Sequence, residues 1–215
     1  KNTKVEEQPP LPIENNVLKT FSIENEPVVE LVNNREREYI FADLPDIGYS
    51  TDIDTVMASS YQVKKQLQQI VKIEQPITNT LLYKRILRIW NLTRVTTRLQ
   101  VFIDNLLEDA YKDPLSGDTI IYWEDEEKAK DCDFYRINSK RDILDIPILE
   151  VMSAARYAIE QQISMPTEDL KRLTSQLLGF SRKGNNLDMV TEQTIQLLID
   201  QGIFSHANGM VSMNN

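Results

Sequence analysis

Trp90-Asn91-Leu92-Thr93-Arg94 and Leu178-Gly179-Phe180-Ser181-Arg182 set the same residue types in the same order. Each has an apolar residue, a residue that tolerates a left-handed backbone, a second apolar residue, a hydroxyl and an arginine. Asparagine and glycine are the residues that end a helix at low steric cost, so each pentapeptide reads as a turn between two helices. Upstream of the first, Leu82, Ile86, Ile89 and Trp90 form one helical face, and Thr78 stands where an N-cap belongs. Pro76 ends the helix before that, whose stripe is Val63, Leu67, Ile70 and Val71 and which stops near Glu74. Downstream, a third helix after Thr93 carries Val95, Leu99, Phe102, Ile103, Leu106 and Ala110 on one face. Arg94, Thr97, Val101, Asn105 and Glu108 fall on the other.

A turn, Asp113-Pro114-Leu115-Ser116-Gly117-Asp118, then leads into Thr119-Ile120-Ile121-Tyr122-Trp123, which has strand composition. Phe134-Tyr135-Arg136-Ile137 is its expected partner, and the acidic run from Trp123 to Glu127 reads as a solvated wing tip. The second pentapeptide has similar flanks. Ile148, Met152, Ala155 and Ile159 make the first stripe, and Pro166 and Thr167 open a helix burying Leu170, Leu173, Leu177 and Leu178. A third helix follows from about Leu187 to Gln201, then a hairpin turning at His206-Ala207-Asn208-Gly209. The expected fold is therefore mainly α with small β-hairpins (α+β), as tandem winged helix-turn-helix units after an extended N-terminal linker. The boundaries fall at 1–57 for an acidic linker or docking segment, 58–140 for the first unit and 141–215 for the second.

Net charge is −9, unevenly spread: −7 over residues 1–60, +2 over 61–124 and −4 over the remainder. Only the middle leans basic, so contact with a polyanion would rest on a local, salt-sensitive patch. That patch is Lys84, Arg85 and Arg88 with Thr93, Arg94, Thr97 and Arg98, and Arg182 and Lys183 occupy the equivalent place in the second unit. A helix-turn-helix meets phosphates there; a solvated face paired with Asp104 and Glu108 reads the first cluster equally well. Trp90 and Trp123 read as core anchors.

The chemistry of catalysis is sparse. His206 is the single histidine and Cys132 the single cysteine, and neither glycine-rich phosphate motif occurs among the six glycines. Asp46 with Glu126 and Lys128 has the residue types of a nuclease site, but a whole helical unit separates them. We expect no enzyme activity, no cofactor and no metal. No run reaches the about 18 apolar residues of a membrane span, and a lone cysteine suits a reducing compartment; a cytoplasmic location is expected. The opening on Lys1, polar and proline-containing, is what a segment of a longer polypeptide would show.

Tyr39-Ile40-Phe41-Ala42-Asp43-Leu44-Pro45, the run from Ile70 to Ile77, Arg85-Ile86, Trp90-Asn91-Leu92-Thr93-Arg94 and Arg98 resemble the uncharacterised C-terminal domain of large bacterial superfamily I helicase-like proteins that also carry a Vsr-like endonuclease domain. The stronger likeness covers about residues 39–110. Gln75 and Asn91 stand where that family usually has glycine. The resemblance implies a place inside a DNA-processing protein, with upstream helicase and nuclease domains of the same chain as partners. It transfers neither activity, because the motifs for both would lie ahead of Lys1. The expected role is an accessory module that positions DNA weakly through the basic cluster; the alternative is a protein-interaction or intramolecular regulatory module.

Overall fold

Two identical orders of helix and strand organise the chain. The computed structural model describes residues 33–49, 51–116, 119–137 and 139–214, and the first 32 residues of the expected linker lie outside these. In the first unit, α2 (Ser60–Glu74), β2 (Ile77–Thr78), α3 (Asn79–Ile89), α4 (Thr97–Leu106), β3 (Tyr111–Lys112) and β4 (Ile121–Trp123) follow one another. In the second, α6 (Ile148–Glu160), β6 (Met165–Pro166), α7 (Thr167–Leu177), α8 (Asn185–Asp200), β7 (Phe204–Ala207) and β8 (Met210–Met213) repeat that order. The starts at 148, 165, 167 and 185 each fall 88 residues after 60, 77, 79 and 97. Both sheets are antiparallel and three-stranded, with the last strand central: β2-β4-β3 and β6-β8-β7. The fold is mainly α with small β-sheets.

Helix two of each unit ends in the same way. Asn91 has φ 47° and Gly179 φ 88°. The Asn91 N–H donates to the Arg88 carbonyl at 3.2 Å and the Leu92 N–H to Leu87 at 2.9 Å; Gly179 to Gln176 and Phe180 to Ser175 repeat the pair, both at 2.9 Å. This is the double bond of a Schellman C-cap. Asparagine, which tolerates the left-handed region, therefore serves at position 91 as glycine does at 179. Gln75, with φ −62°, sits in no such conformation, and its side-chain oxygen accepts the Glu124 N–H at 2.8 Å.

Each unit has its own apolar centre. Val63, Leu67, Ile70, Leu82, Ile86, Leu99 and Ile103 pack in the first, with Trp90 at its edge; Ala155, Ala158, Ile159, Leu170, Ile195, Leu198 and Phe204 pack in the second. Both tryptophans are buried, with Trp90 Nε1 donating to Gln66 at 2.8 Å and Trp123 Nε1 to Asp113 at 3.1 Å. Among the described residues no helix is long and apolar enough to cross a membrane.

Three expectations are corrected. Strand β5 (Tyr135–Ile137) does not pair with β4, because β2 and β3 already occupy both edges of that strand. It pairs in parallel with β1 (Glu36–Glu38) instead. The acidic run after Trp123 is not a wing tip: Trp123 is buried, and Asp125 caps the short helix α5 (Glu126–Lys130) by accepting the Lys128 N–H at 2.9 Å. The third helix of the first unit begins at Thr97, capped by Thr96, so Arg94 lies in the turn and not on the helix.

Residues 33–49 and 51–57 pack as a strap with the helical units. Through the strap, Tyr39 and the Ala42 N–H bond to the buried Glu74 carboxylate, the Ile47 N–H to the Ile89 carbonyl at 3.0 Å, and Thr51 Oγ1 to the Trp90 carbonyl. Helix α1 (Ile53–Ala58) closes the strap, with Val56 buried.

An ionic seam joins the units. Arg136 on β5 donates to the carbonyls of Glu74, Gln75 and Pro76 at 2.7, 3.2 and 2.6 Å, and to Glu150 on α6. Arg141 adds two bonds to the same carboxylate, at 2.7 and 2.9 Å. Glu150 is fully buried. Burial alone would push its carboxyl up, but Arg136 and Arg141 outweigh that and hold it below the usual carboxylate range. The Tyr39 ring lies beside both guanidinium groups, at 4.9 and 4.3 Å, and burial followed by the neighbouring Glu74 drives its hydroxyl well above the usual tyrosine range.

Candidate nucleic-acid interface

The sequence proposed nine residues for contact with phosphates, and the fold divides them into four groups. Arg85 leaves the surface altogether. Its Nε donates to Glu74 at 2.9 Å, its Nη2 to the Ala42 carbonyl, and its guanidinium carbon sits 3.4 Å from the centre of the Phe41 ring. Only 5% of its surface is exposed, where it borders the cleft it shares with Arg88, and its guanidinium is committed to Glu74 and Ala42. The helical face that carries it was read as solvent-facing because nothing in the periodicity announces a strap lying over it.

Lys84 is committed differently. Its ammonium bonds both oxygens of the buried Asp145 carboxylate, at 2.7 and 2.6 Å, and ties α3 to the turn that precedes the second unit. Its stem remains half-exposed, so it is spoken for by structure though still near water.

Arg88, Thr93, Arg94, Thr97 and Arg98 are exposed around the turn from α3 to α4. Carboxylates of the strap accompany them. Asp43 and Asp46 share with Arg88 a cleft of about 230 Å³ also lined by Phe41 and Pro45, and Asp54 pairs with Arg98 at 2.8 Å. Arg94 makes no ion pair among the described residues. The cationic cluster of the sequence is thus faced by the chain's own acidic segment.

Arg182 and Lys183 are exposed in the corresponding turn from α7 to α8, and neither makes an ion pair among the described residues. They border a cleft of about 160 Å³ with Lys171, Arg172, Ser175 and Ser181. Lys171 is held by Glu168 and Glu192, at 3.3 and 3.7 Å, and Arg172 by Asp169 at 2.9 Å. Among the described residues no strap crosses this turn, though Asp142 borders a neighbouring cleft with Arg182.

Among the described residues, groups of catalytic type do not converge. The Cys132 thiol is pushed up to about 12 by burial and then by the negative charge of Glu150, a range in which the reactive thiolate is scarce. His206 is exposed on β7, opposite Val211, and not in the turn where the sequence placed it; the turn is Asn208-Gly209 alone. Asp46 accepts the Gly48 N–H at 2.9 Å, and Lys128 pairs with Glu124, so the nuclease-like trio is dispersed into local contacts. Among the described residues no three His, Cys, Asp or Glu side chains gather as metal ligands.

Residues 58–101 match a family model described as a protein of unknown function, DUF3320. The match runs from the start of the first unit into α4 and takes in the Asn91 turn, Glu74, Arg85 and the exposed arginines. No curated protein and no solved structure matches the chain.

Proposed function

We propose that this chain is a non-catalytic accessory module of a DNA-processing protein, built from two winged-helix units, that holds DNA weakly beside catalytic domains elsewhere in the same polypeptide. The observation that carries the reading is the doubled architecture: helix, strand, helix, helix, strand, strand, with the first strand beside the last. In the winged-helix order, the third helix of each unit enters a groove and the preceding turn meets phosphates. Exposed cations stand at both turns, Arg88, Arg94 and Arg98 in one and Arg182 and Lys183 in the other. The likeness to C-terminal regions of helicase- and nuclease-type proteins supports the setting. Affinity in isolation is expected to be low, the rest coming from the attached domains by effective concentration.

The test is fluorescence anisotropy of the whole chain with labelled duplex DNA over a salt series. Binding at about 50 mM salt that weakens steeply as salt rises supports the reading. A flat response at the lowest salt refutes it. A second reading, docking on protein, draws on the strap: Asp54 on Arg98 and Asp43 and Asp46 beside Arg88 leave the first unit with little net positive surface, which suits an intramolecular or protein partner better than a polyanion.

A further inference from the structure

The strap is fastened to the turn it crosses. Its Ile47 N–H donates to the Ile89 carbonyl at 3.0 Å and its Thr51 Oγ1 to the Trp90 carbonyl. These carbonyls stand at the C-terminal end of α3, where a helix leaves acceptors without partners of its own. Earlier in the strap, the Ala42 N–H donates to the buried Glu74 carboxylate at 3.1 Å, and Ala42 is itself buried. Asp43 and Asp46 lie between the anchors at Ala42 and Ile47, and Asp54 follows the anchor at Thr51, in the first turn of α1. These carboxylates are stationed at the turn by bonds in which none of them takes part.

All three carboxylates are exposed, as are Arg88, Arg94 and Arg98. Asp54 pairs with Arg98 at 2.8 Å. Asp43 and Asp46 share a cleft with Arg88, and the Phe41 ring, its centre 5.8 Å from the Arg88 guanidinium carbon, flanks that side chain. Asp52 is committed elsewhere, since it caps α1 by accepting the Thr55 N–H at 2.8 Å. Three arginines and three carboxylates therefore share the surface where the winged-helix order meets phosphates, and their formal charges cancel.

Taking the DNA-positioning reading as given, we propose that the strap is a built-in competitor for phosphate: Asp43, Asp46 and Asp54 take the places of DNA phosphates at Arg88 and Arg98 and hold down the first unit's own affinity. Exposed ion pairs are weak, so a phosphate can displace each carboxylate in turn. The site is attenuated and not closed. A phosphate that replaces a carboxylate also releases fewer counterions than one that meets a bare cation, which lowers both the affinity and its dependence on salt. The result is a unit that passes over DNA met by chance and engages DNA that attached domains hold at high local concentration.

Anisotropy with the whole chain and a labelled DNA duplex, over a salt series, tests this. An Asp43→Asn/Asp46→Asn/Asp54→Asn variant keeps the side-chain size and an acceptor for the Gly48 N–H at position 46. It should bind about tenfold tighter, about twofold for each carboxylate, with a steeper salt slope. Its urea midpoint should stay close to that of the parent, because exposed pairs add little stability; Asp54→Asn alone should give no more than about twofold. A Glu127→Gln/Asp131→Asn/Asp200→Asn control makes the same change in net charge from α5, its C-cap and the end of α8, and should gain less than about threefold. Adding Arg88→Ala/Arg94→Ala/Arg98→Ala to the strap variant should cancel its gain. A strap variant no tighter than the parent, an equal gain in the control, or a gain that survives loss of the three arginines would each overturn the inference and leave the DNA-positioning reading standing. Absence of binding by both the parent and the strap variant at the lowest salt removes both.

Discussion

The turn at Asn91 and the turn at Gly179 close in the same way and have different surroundings. Both close with the same pair of hydrogen bonds and both present cations to the outside. The first is bordered by a strap that contributes Asp43, Asp46 and Asp54 and stays in place through Tyr39, Ala42, Ile47 and Thr51. At the second no strap intervenes among the described residues, although Asp142 borders one cleft with Arg182 and Glu168 and Asp188 border another with Arg182 and Lys183. Local sequence sets the conformation of a turn, but whether its charges are available to a partner is decided by what a remote segment lays over them.

The most severe way to break this contrast is to cut the strap's anchor. Glu74→Gln leaves Arg85 buried beside a neutral amide and loosens Tyr39 and Ala42; Glu150→Gln does the same to Arg136 and Arg141. Removing one partner of a buried pair costs about 3–5 kcal/mol, so both variants should show a large drop in the urea midpoint. Only Glu74→Gln should also raise protease cleavage within residues 39–49. Equal cleavage in the two would mean that the seam, and not Glu74, holds the strap.

Acid probes the same seam without mutation. The Glu150 carboxyl is depressed in the folded state, so its contribution is complete above the ordinary carboxylate pKa of about 4.3 and is lost as pH falls through the lower folded value. Stability measured by urea titration should hold from neutrality to about pH 5 and then fall, and the Glu150→Gln variant should show a shallower fall.

The turns themselves should differ modestly. Gly179→Ala places a side chain at φ 88°, a strained conformation for an L-residue, and should cost about 1 kcal/mol or more; Asn91→Gly, at φ 47°, should lie within about 0.5 kcal/mol of the parent in thermal denaturation. A large effect at Asn91 would show that its side chain is doing something beyond tolerating the backbone.

The smallest change is Asp54→Ala. Its pair with Arg98 is well exposed, so stability should move by less than about 0.5 kcal/mol. Duplex binding at low salt should rise by no more than about twofold if one exposed ion pair is all that is released; a much larger rise would mean that the strap conceals a genuine site on the first unit.

Much of this architecture was written locally enough to be read in advance. The Thr78 cap, the buried faces of α2, α3, α6 and α7, and the left-handed residues at 91 and 179 all follow from spacing and backbone preference over a few positions. What escaped was non-local. Two-residue strands such as β2 and β3 have no alternation to detect, so β4 was given the wrong partner. Arg85 carries the same sequence signal as Arg88 one turn along, and only the arrival of Glu74, Ala42 and Phe41 from elsewhere separates a buried tie from a surface cation.

The parallel pairing of β1 with β5 fixes where the body is loaded mechanically. β1 meets β5 in the segment between the two units, and Arg35, next to it, bonds to Asp133 and Glu160. Tension applied through the chain ahead of Asn33 would therefore enter at the joint and not at one end. Both units would be drawn along together, as a bracket is carried by its corner, with neither peeled from the other.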